Sequence, residues 1–332
     1  MSTPTVALDL GTTTTRFYIA DRFSFGQMPS VVAIDTHTKE AVAIGDKALP
    51  MLGRTPAGVR ASRPLLGGVV ADYNLAAMML LDLFRKNRLV GLFRQPAVTV
   101  AVPYGVTEVE KRAVEDVIRA AGARSVRLVP KGLAAAYGAG IKVSGARGSM
   151  VVDIGGGTTE TSILSYGGII SARTGRVAGD EFDHAIIAHL RAAYGLIVGE
   201  GTANMLKHKV GVAHPGLDRG TLTVSGRNIQ TGLALTAEVS SLDICEALRK
   251  PLARILLQIR ATLEAVPPEL SADISASGLI LCGGSSALPG LAKAIANGTG
   301  LRISLAKSRE DCCIKGLQHI LGSHIPEEKT TW

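Results

Sequence analysis

The sequence predicts an α/β protein built from two related lobes. The first indication is a repeat: an apolar strand, a turn of Asp, Gly and Thr, and a second strand occur at Val6–Ala20 and again at Met150–Leu164. The second indication is that strand-like and helix-like segments alternate after each repeat. Because the same motif stands near the start of each half, we expect a duplicated fold.

The elements between and after the repeats can be placed in order. Ala97–Val102, which lies between two prolines, is predicted to be a strand, and Thr107–Ala121 has helical spacing with its charges on one face. Further strands are predicted at Ser125–Val129 and Leu279–Cys282, and further helices at Lys131–Gly140, Glu181–Tyr194, Gly201–Lys209 and Ser240–Ala265. The first crossing between the lobes is predicted near Ile141–Gly148.

Composition fits a folded chain with two cores. The chain has 332 residues, of which 46% are hydrophobic and 19% charged, as in packed rather than disordered proteins. The formal net charge of +8 invites a polyanionic partner. Its basic residues are scattered, however, and no arginine-rich arm with interleaved aromatic residues occurs, so nucleic acid is not predicted as a partner. The four cysteines lack metal-ligand spacing and are predicted to be reduced thiols.

The turn of the first repeat, Asp9 to Thr13, has the residue types of a phosphate site. Glycine and small hydroxyl residues let backbone N–H groups and threonine side chains approach phosphate oxygens. An aspartate at the end of the strand suits a hydrated Mg²⁺, which takes one or two carboxylates and keeps several waters. Taken alone, the motif is also compatible with a hairpin turn that happens to contain threonine.

The turn of the second repeat, Asp153 to Thr159, contains three consecutive glycines. Because such a run is costly in conformational entropy, backbone geometry or the close approach of a ligand must require it. Two such turns facing each other would hold phosphates from opposite sides. A third Gly-rich turn, Gly283 to Leu288, could let an adenosine lie against the backbone, although an ordinary strand-to-helix connection explains it nearly as well.

From about residue 5 to 322 the chain resembles the MreB family of bacterial actins. Beyond the three turns, the matching segments are Gly53–Pro56, Arg63–Leu65, Gly68–Asp72, Val102–Glu110, Ala134–Gly140, Gly179–Asp183, Tyr194–Glu200, Thr231–Leu233 and Pro267–Leu270. The resemblance implies an actin-like ATPase fold of two related lobes, each a ribonuclease-H-like domain, around a nucleotide cleft. It places the first lobe at 1–145 with a small subdomain at about 30–70, the second at 146–322 with a small subdomain at about 185–250, and a tail at 323–332.

The resemblance also implies a function and a site. It implies ATP with Mg²⁺, assembly with other copies into filaments at the cytoplasmic face of an anionic membrane, and membrane-bound cell-shape or wall-synthesis proteins as partners. The site residues that it implies are Asp9, Gly11, Thr12, Thr13 and Thr14 on one side of the phosphates; Asp153, Gly155, Gly156, Gly157 and Thr158 on the other; and Glu200, Lys207, Gly283, Gly284 and Ser285 around ribose and adenine, with Asp9 and Asp153 holding Mg²⁺ through water. For Glu200 and Lys207 an ordinary helix surface is the alternative.

One departure from the family bears on catalysis. The family carries a glutamate, thought to position the attacking water, where this sequence has Lys131. A charged lysine is a donor without an acceptor and cannot take a proton from water. No Asp or Glu occurs between Val117 and Val152 to replace it. The sequence therefore predicts ATP binding with slow or absent hydrolysis; a cation beside the γ-phosphate would instead tighten binding or stabilise charge.

A short apolar loop is the predicted membrane contact. Leu92 and Phe93 belong to the segment Leu89–Phe93, which is flanked by Arg88 and Arg94. Apolar residues bordered by arginines can insert at an anionic interface. The alternative is a loop whose apolar side chains pack inward.

The main functional alternative is a non-polymerising ATP-binding enzyme, such as a sugar or acetate kinase of the same superfamily. Such an enzyme needs an acidic base that faces the acceptor hydroxyl, and it usually carries a larger substrate-binding insertion. Neither is found in this sequence, so the polymerising protein is preferred.

Overall fold

The computed structural model describes residues 3–92 and 94–323. The strands of the first half are β1 (Thr5–Leu10), β2 (Thr14–Ile19), β3 (Ser24–Pro29), β4 (Val32–Asp35), β5 (Ala41–Ile44), β6 (Val59–Ser62), β7 (Leu65–Leu66), β8 (Val69–Val70), β9 (Ala97–Val102) and β10 (Ser125–Pro130). Its helices are α1 (Tyr73–Lys86), α2 (Glu108–Ala120) and α3 (Lys131–Gly138).

The second half repeats this mixture of strands and helices. Its strands are β11 (Ser149–Ile154), β12 (Thr159–Ser165), β13 (Gly168–Gly175), β14 (Leu196–Ile197), β15 (Thr221–Asn228), β16 (Ala234–Ser240), β17 (Leu279–Cys282) and β18 (Ile303–Leu305). Its helices are α4 (Gly179–Tyr194), α5 (Glu200–Lys209), α6 (Ser241–Leu263), α7 (Pro268–Ser277), α8 (Leu291–Thr299) and α9 (Cys312–Gly322). The predicted helices and strands are present: β9 and β17 have the predicted bounds, and the ends of the others lie within two residues of the prediction.

The two main sheets have the same topology. The first has the strand order β10-β9-β1-β2-β3 and the second β18-β17-β11-β12-β13. In each, the strand that carries the aspartate pairs antiparallel with the strand after the turn and parallel with a later strand. The duplication predicted from the repeated turn motif therefore extends to the whole sheet.

Each lobe has its own buried apolar core. In the first, Phe84, Met79 and Leu80 of α1 pack with strands β1 and β9. In the second, Phe182 and Ile186 of α4 pack with strands β11 and β17. The α4 residues lie four positions apart, the spacing that places side chains on one face of a helix.

Two three-stranded sheets and a two-stranded sheet of β7 and β8 accompany the main ones within the described residues. The order β5-β4-β6 lies between residues 32 and 62, and β14-β15-β16 between 196 and 240. Both fall inside the ranges predicted for small subdomains. The exact domain boundaries stay a prediction.

Helix α9 returns from the second half to pack against α3 and the first sheet. Gly138 of α3 and Gly316 of α9 allow the approach, because a Cβ on either would overlap a backbone carbonyl of the other helix. Ile314, Leu317 and Ile320 of α9 join Ala7 of the first sheet in one apolar cluster. This packing fixes α3, and therefore Lys131 at its first position, beneath the junction of the lobes.

Candidate functional site

A cavity of about 480 Å³ opens between the two halves, a size that suits a small-molecule ligand. Its lining contains every predicted nucleotide residue except Glu200: Asp9, Gly11, Thr12, Thr13, Thr14, Lys131, Asp153, Gly155, Gly156, Gly157, Thr158, Lys207, Gly283, Gly284 and Ser285. Three turns that lie far apart in the sequence thus meet in one place. That these residues bind a nucleotide stays a prediction.

The first turn is held in shape by hydrogen bonds below it. The Gly11 N–H donates to the Asp9 carbonyl at 3.1 Å, and the Ser30 hydroxyl donates to the Gly11 carbonyl at 2.7 Å. A Cβ at position 11 would overlap the Thr14 carbonyl, so the tight turn requires glycine. The Asp9 side chain is only 9% exposed and lies at the cavity floor.

The second turn packs directly against the first. An ideal Cβ on Gly156 would lie 2.6 Å from Thr13 Cγ2, and one on Gly157 would overlap Thr12 Oγ1. No positive φ is involved at either position. The glycine run predicted that backbone geometry or the close approach of a ligand requires these residues. The structure shows that Gly156 and Gly157 make room for threonines of the first turn, and the approach of a ligand stays a prediction.

The third turn is tied to the second. The Ser285 hydroxyl donates to the Gly155 carbonyl at 2.6 Å. Gly283 has φ of +86°, and a Cβ there would lie 2.6 Å from Asp153 Oδ1, so this position also requires glycine. Ser285 of the third turn therefore has a definite contact with the second turn.

Two predicted residues of the ribose and adenine region differ in environment. The Lys207 ammonium is buried and donates at 2.9 Å both to Asp183 Oδ2 and to the Gly179 carbonyl, so it anchors α5 to α4 as well as lining the cavity. The Glu200 side chain is 58% exposed and lies 4.0 Å from the Arg63 guanidinium and 3.8 Å from the His184 imidazole. Glu200 lies outside the cavity lining.

Lys131, the first residue of α3, lines the cavity. Its ammonium lies 4.0 Å from Asp9 Oδ1 and 3.8 Å from Asp153 Oδ1. Burial acts to lower the pKa of this ammonium, but the charges of Asp153 and Asp9 outweigh burial and raise the pKa. Lys131 is therefore a fixed positive charge between the two carboxylates predicted to hold Mg²⁺.

The position of Lys131 affects whether Mg²⁺ can bind between Asp9 and Asp153. Asp9 and Asp153 are ligands of the right chemistry for a hydrated magnesium ion. A divalent ion shared by both carboxylates would, however, meet the Lys131 ammonium already placed between them. The two carboxylates are therefore suitable ligands for Mg²⁺, but the positive charge of Lys131 between them is not compatible with it.

Sequence reasoning missed several residues of this region. Arg16 lines the cavity, and Glu160 lies buried beside the first turn of α3. Each follows the motif aspartate by seven positions and pairs with it across the hairpin. That shared spacing was a usable signal. Asp180 and Arg219, which also line the cavity, belong to no motif weighed for the site.

Glu160 is an unusual acid. Burial raises its pKa to about 7, against the opposing effects of the Lys131 charge and of the N–H groups of Tyr104 and Gly132. Its Oε2 accepts a hydrogen bond from the Tyr104 N–H at 3.1 Å. Glu160 supplies an acid near Lys131 from a distant part of the sequence, but it is not part of the cavity lining.

The predicted membrane loop is described in part. Leu92 is 92% exposed at the tip of a turn that bridges Gly91 and Arg94, whereas Leu89 is fully buried. Phe93 lies outside the described residues. Within the described part of the chain, no helix is both long and apolar enough to cross a membrane.

Comparison with known proteins extends these observations. A family model described as "MreB/Mbl protein" matches residues 3–328. The cell shape-determining protein MreB of Escherichia coli (strain K12) is 40% identical over 316 residues, which make up 94% of this chain and 91% of that protein. The cell shape-determining protein Mbl of Bacillus subtilis (strain 168) is 36% identical over 326 residues, 98% of each chain.

A solved structure matches over the same extent. MreB5 of Spiroplasma citri bound to AMPPNP has a TM-score of 0.92 and 31% identity, covering 98% of this chain and 97% of that one. The match confirms the predicted actin-like fold. That relative, with almost the same backbone, was solved with a nucleotide analogue bound.

Proposed function

Because the chain belongs to the MreB/Mbl family, we propose that it is an ATP-binding, actin-like cytoskeletal protein that assembles with its own copies into filaments. The observation that carries this proposal is the pair of Thr- and Gly-rich turns, one from each lobe, that meet at a single cavity. Relatives that cover almost the whole chain are named for determining cell shape. A role in organising cell shape or wall synthesis, with membrane-bound proteins of that process as partners, follows from this membership.

The two turns explain how filament assembly would depend on a bound nucleotide. Backbone N–H groups of Gly-rich turns and threonine hydroxyls are donors suited to phosphate oxygens. A ligand that contacts both turns would favour one relative placement of the lobes, and a closure of this kind is a common switch between conformations. Contacts between successive copies in a filament are heterologous, so the filament stays open if the rotation does not close.

Hydrolysis is expected to be slow or absent. Lys131 stands where the family has its glutamate, and it cannot accept a proton from water. Loss of a general base or of a water-positioning group typically lowers the rate by about 10² to 10⁴. Glu160 does not restore the function, because it is buried behind the cavity wall rather than on it.

Membrane contact is proposed for the loop around Leu92. The side chain projects into solvent, and Arg88 beside it is exposed as well. An exposed apolar side chain next to arginines suits an anionic lipid surface. The proposed location is therefore the cytoplasmic face of the membrane.

The test is high-speed sedimentation of the purified chain with ATP, with ADP and without nucleotide, while phosphate release is followed in the same samples. Pelleting with ATP and little phosphate release is the expected result. Pelleting with rapid phosphate release would contradict the role assigned to Lys131 but would still support filament formation. Absence of pelleting under every condition, with ATP still bound, would instead favour a non-polymerising enzyme of the superfamily.

A further inference from the structure

The position of Lys131 has a consequence beyond slow hydrolysis. Its side chain is 13% exposed, and those of Asp9 and Asp153 are 9% and 6% exposed. The ammonium is 3.9 Å from where a Cβ on Gly155 would stand, so it also adjoins the second phosphate turn. A buried cation thus occupies the point where the two carboxylates and a phosphate turn converge.

The charges of the cavity balance only because of this lysine. The acids in the lining are Asp9, Asp153, Asp180 and Glu310, and the Lys and Arg residues are Arg16, Lys131, Lys207 and Arg219. A glutamate at position 131 would make the formal charge of the lining more negative by two. Two positive charges are what one Mg²⁺ ion supplies.

We propose that the Lys131 ammonium takes the place of a magnesium ion held by Asp9 and Asp153, so that this chain binds nucleoside di- and triphosphates without a divalent cation. The inference rests on the proposed nucleotide-binding function. An ammonium offers three hydrogen-bond donors and binds phosphate as a point charge. Any Mg²⁺ that arrives with ATP would be held by phosphate and water and not by the two aspartates.

The proposal is tested by the affinity for ATP, measured by isothermal titration calorimetry in buffer with Mg²⁺ and in buffer with EDTA. The wild-type affinity should differ by no more than about threefold between the two buffers. In Lys131→Glu, EDTA should weaken binding by at least about tenfold relative to Mg²⁺, because the extra carboxylate then needs the divalent ion. The matched control is Lys142→Glu, the same charge change at an exposed lysine, which should behave as the wild type.

A second variant keeps the test decisive if Lys131→Glu does not fold. Lys131→Gln keeps the length of the side chain and removes its charge, so its affinity in EDTA should fall by about tenfold from that of the wild type. Thermal unfolding of each variant checks that it is folded. If the wild type binds ATP in Mg²⁺ but loses this binding in EDTA, the inference about Lys131 is overturned, while the proposed nucleotide-binding function still stands. Failure to bind ATP in either buffer would overturn the proposed function itself.

Discussion

The contact between the first and second turns can be tested by adding a single methyl group. In Gly156→Ala the new Cβ would lie 2.6 Å from Thr13 Cγ2, 2.7 Å from Thr13 Oγ1 and 3.2 Å from Thr13 Cβ. The first two distances are too short for non-bonded atoms, so the turns must move apart. Overpacking of this kind typically costs about 1–3 kcal/mol. We expect the free energy of unfolding to fall by that amount.

The measurement is urea-induced unfolding of the nucleotide-free protein. Thr13→Ala removes the two closest atoms and leaves only the 3.2 Å contact, so the double variant Gly156→Ala/Thr13→Ala should recover most of the cost. Gly201→Ala is the control, because a Cβ there meets nothing within 4 Å. As a helical position, it should be neutral or more stable by up to about 1 kcal/mol. A Gly156→Ala variant as stable as the wild type, or a cost unchanged by Thr13→Ala, would refute the contact between the lobes.

Three further predictions concern Glu160, the Lys207–Asp183 ion pair and the loop around Leu92. Burial raises the pKa of Glu160 to about 7, so the folded state retains a proton that the unfolded state releases from about pH 4.5. The free energy of unfolding should therefore decrease as the pH rises from about 4.5 to 7, by about 3 kcal/mol at most. Glu160→Gln should flatten this pH dependence. Lys207→Met leaves the Asp183 carboxylate buried without its cation and should cost about 3–5 kcal/mol in chemical unfolding, whereas combining it with Asp183→Leu should restore part of the loss. Replacing Leu92 and Phe93 by Ser should abolish co-sedimentation with anionic liposomes.

Each of these three predictions has a result that would contradict it. An equal pH slope in Glu160→Gln would assign the slope to other groups. A cost below about 1 kcal/mol for Lys207→Met would mean that water reaches Asp183 and that the pair is not buried. For the liposome assay, Leu233→Ser removes another side chain that is 70% exposed and should leave binding unchanged. Unchanged binding of the Leu92 and Phe93 variant would exclude the loop.

The sequence carried the fold and much of the site because both depend on local patterns. Asp9 and Asp153 each stand near the end of an apolar strand, and the glycines that follow them indicate tight turns. A motif that occurs twice implies a duplicated sheet, and the register of β1 with β2 is repeated by β11 with β12. A close approach of two backbone segments can be predicted from the sequence, because few residues other than glycine permit it.

The remainder depends on contacts between distant segments. Nothing local to Lys131 shows that its ammonium lies between two aspartates that are 144 positions apart in the chain. Glu160 cannot be recognised from the sequence near α3, because the strand that carries it reaches α3 only in the fold. Glu200 was assigned by resemblance alone, and its exposed position lies beyond what a motif can specify.

A structure of the filament assembled with ATP, determined by electron cryomicroscopy, would test the proposed nucleotide site most directly. We expect a triphosphate between the turn of Asp9 to Thr14 and the turn of Asp153 to Thr158, with the Lys131 ammonium in contact with phosphate oxygens. A nucleotide bound elsewhere, or phosphates held by one lobe alone, would contradict it.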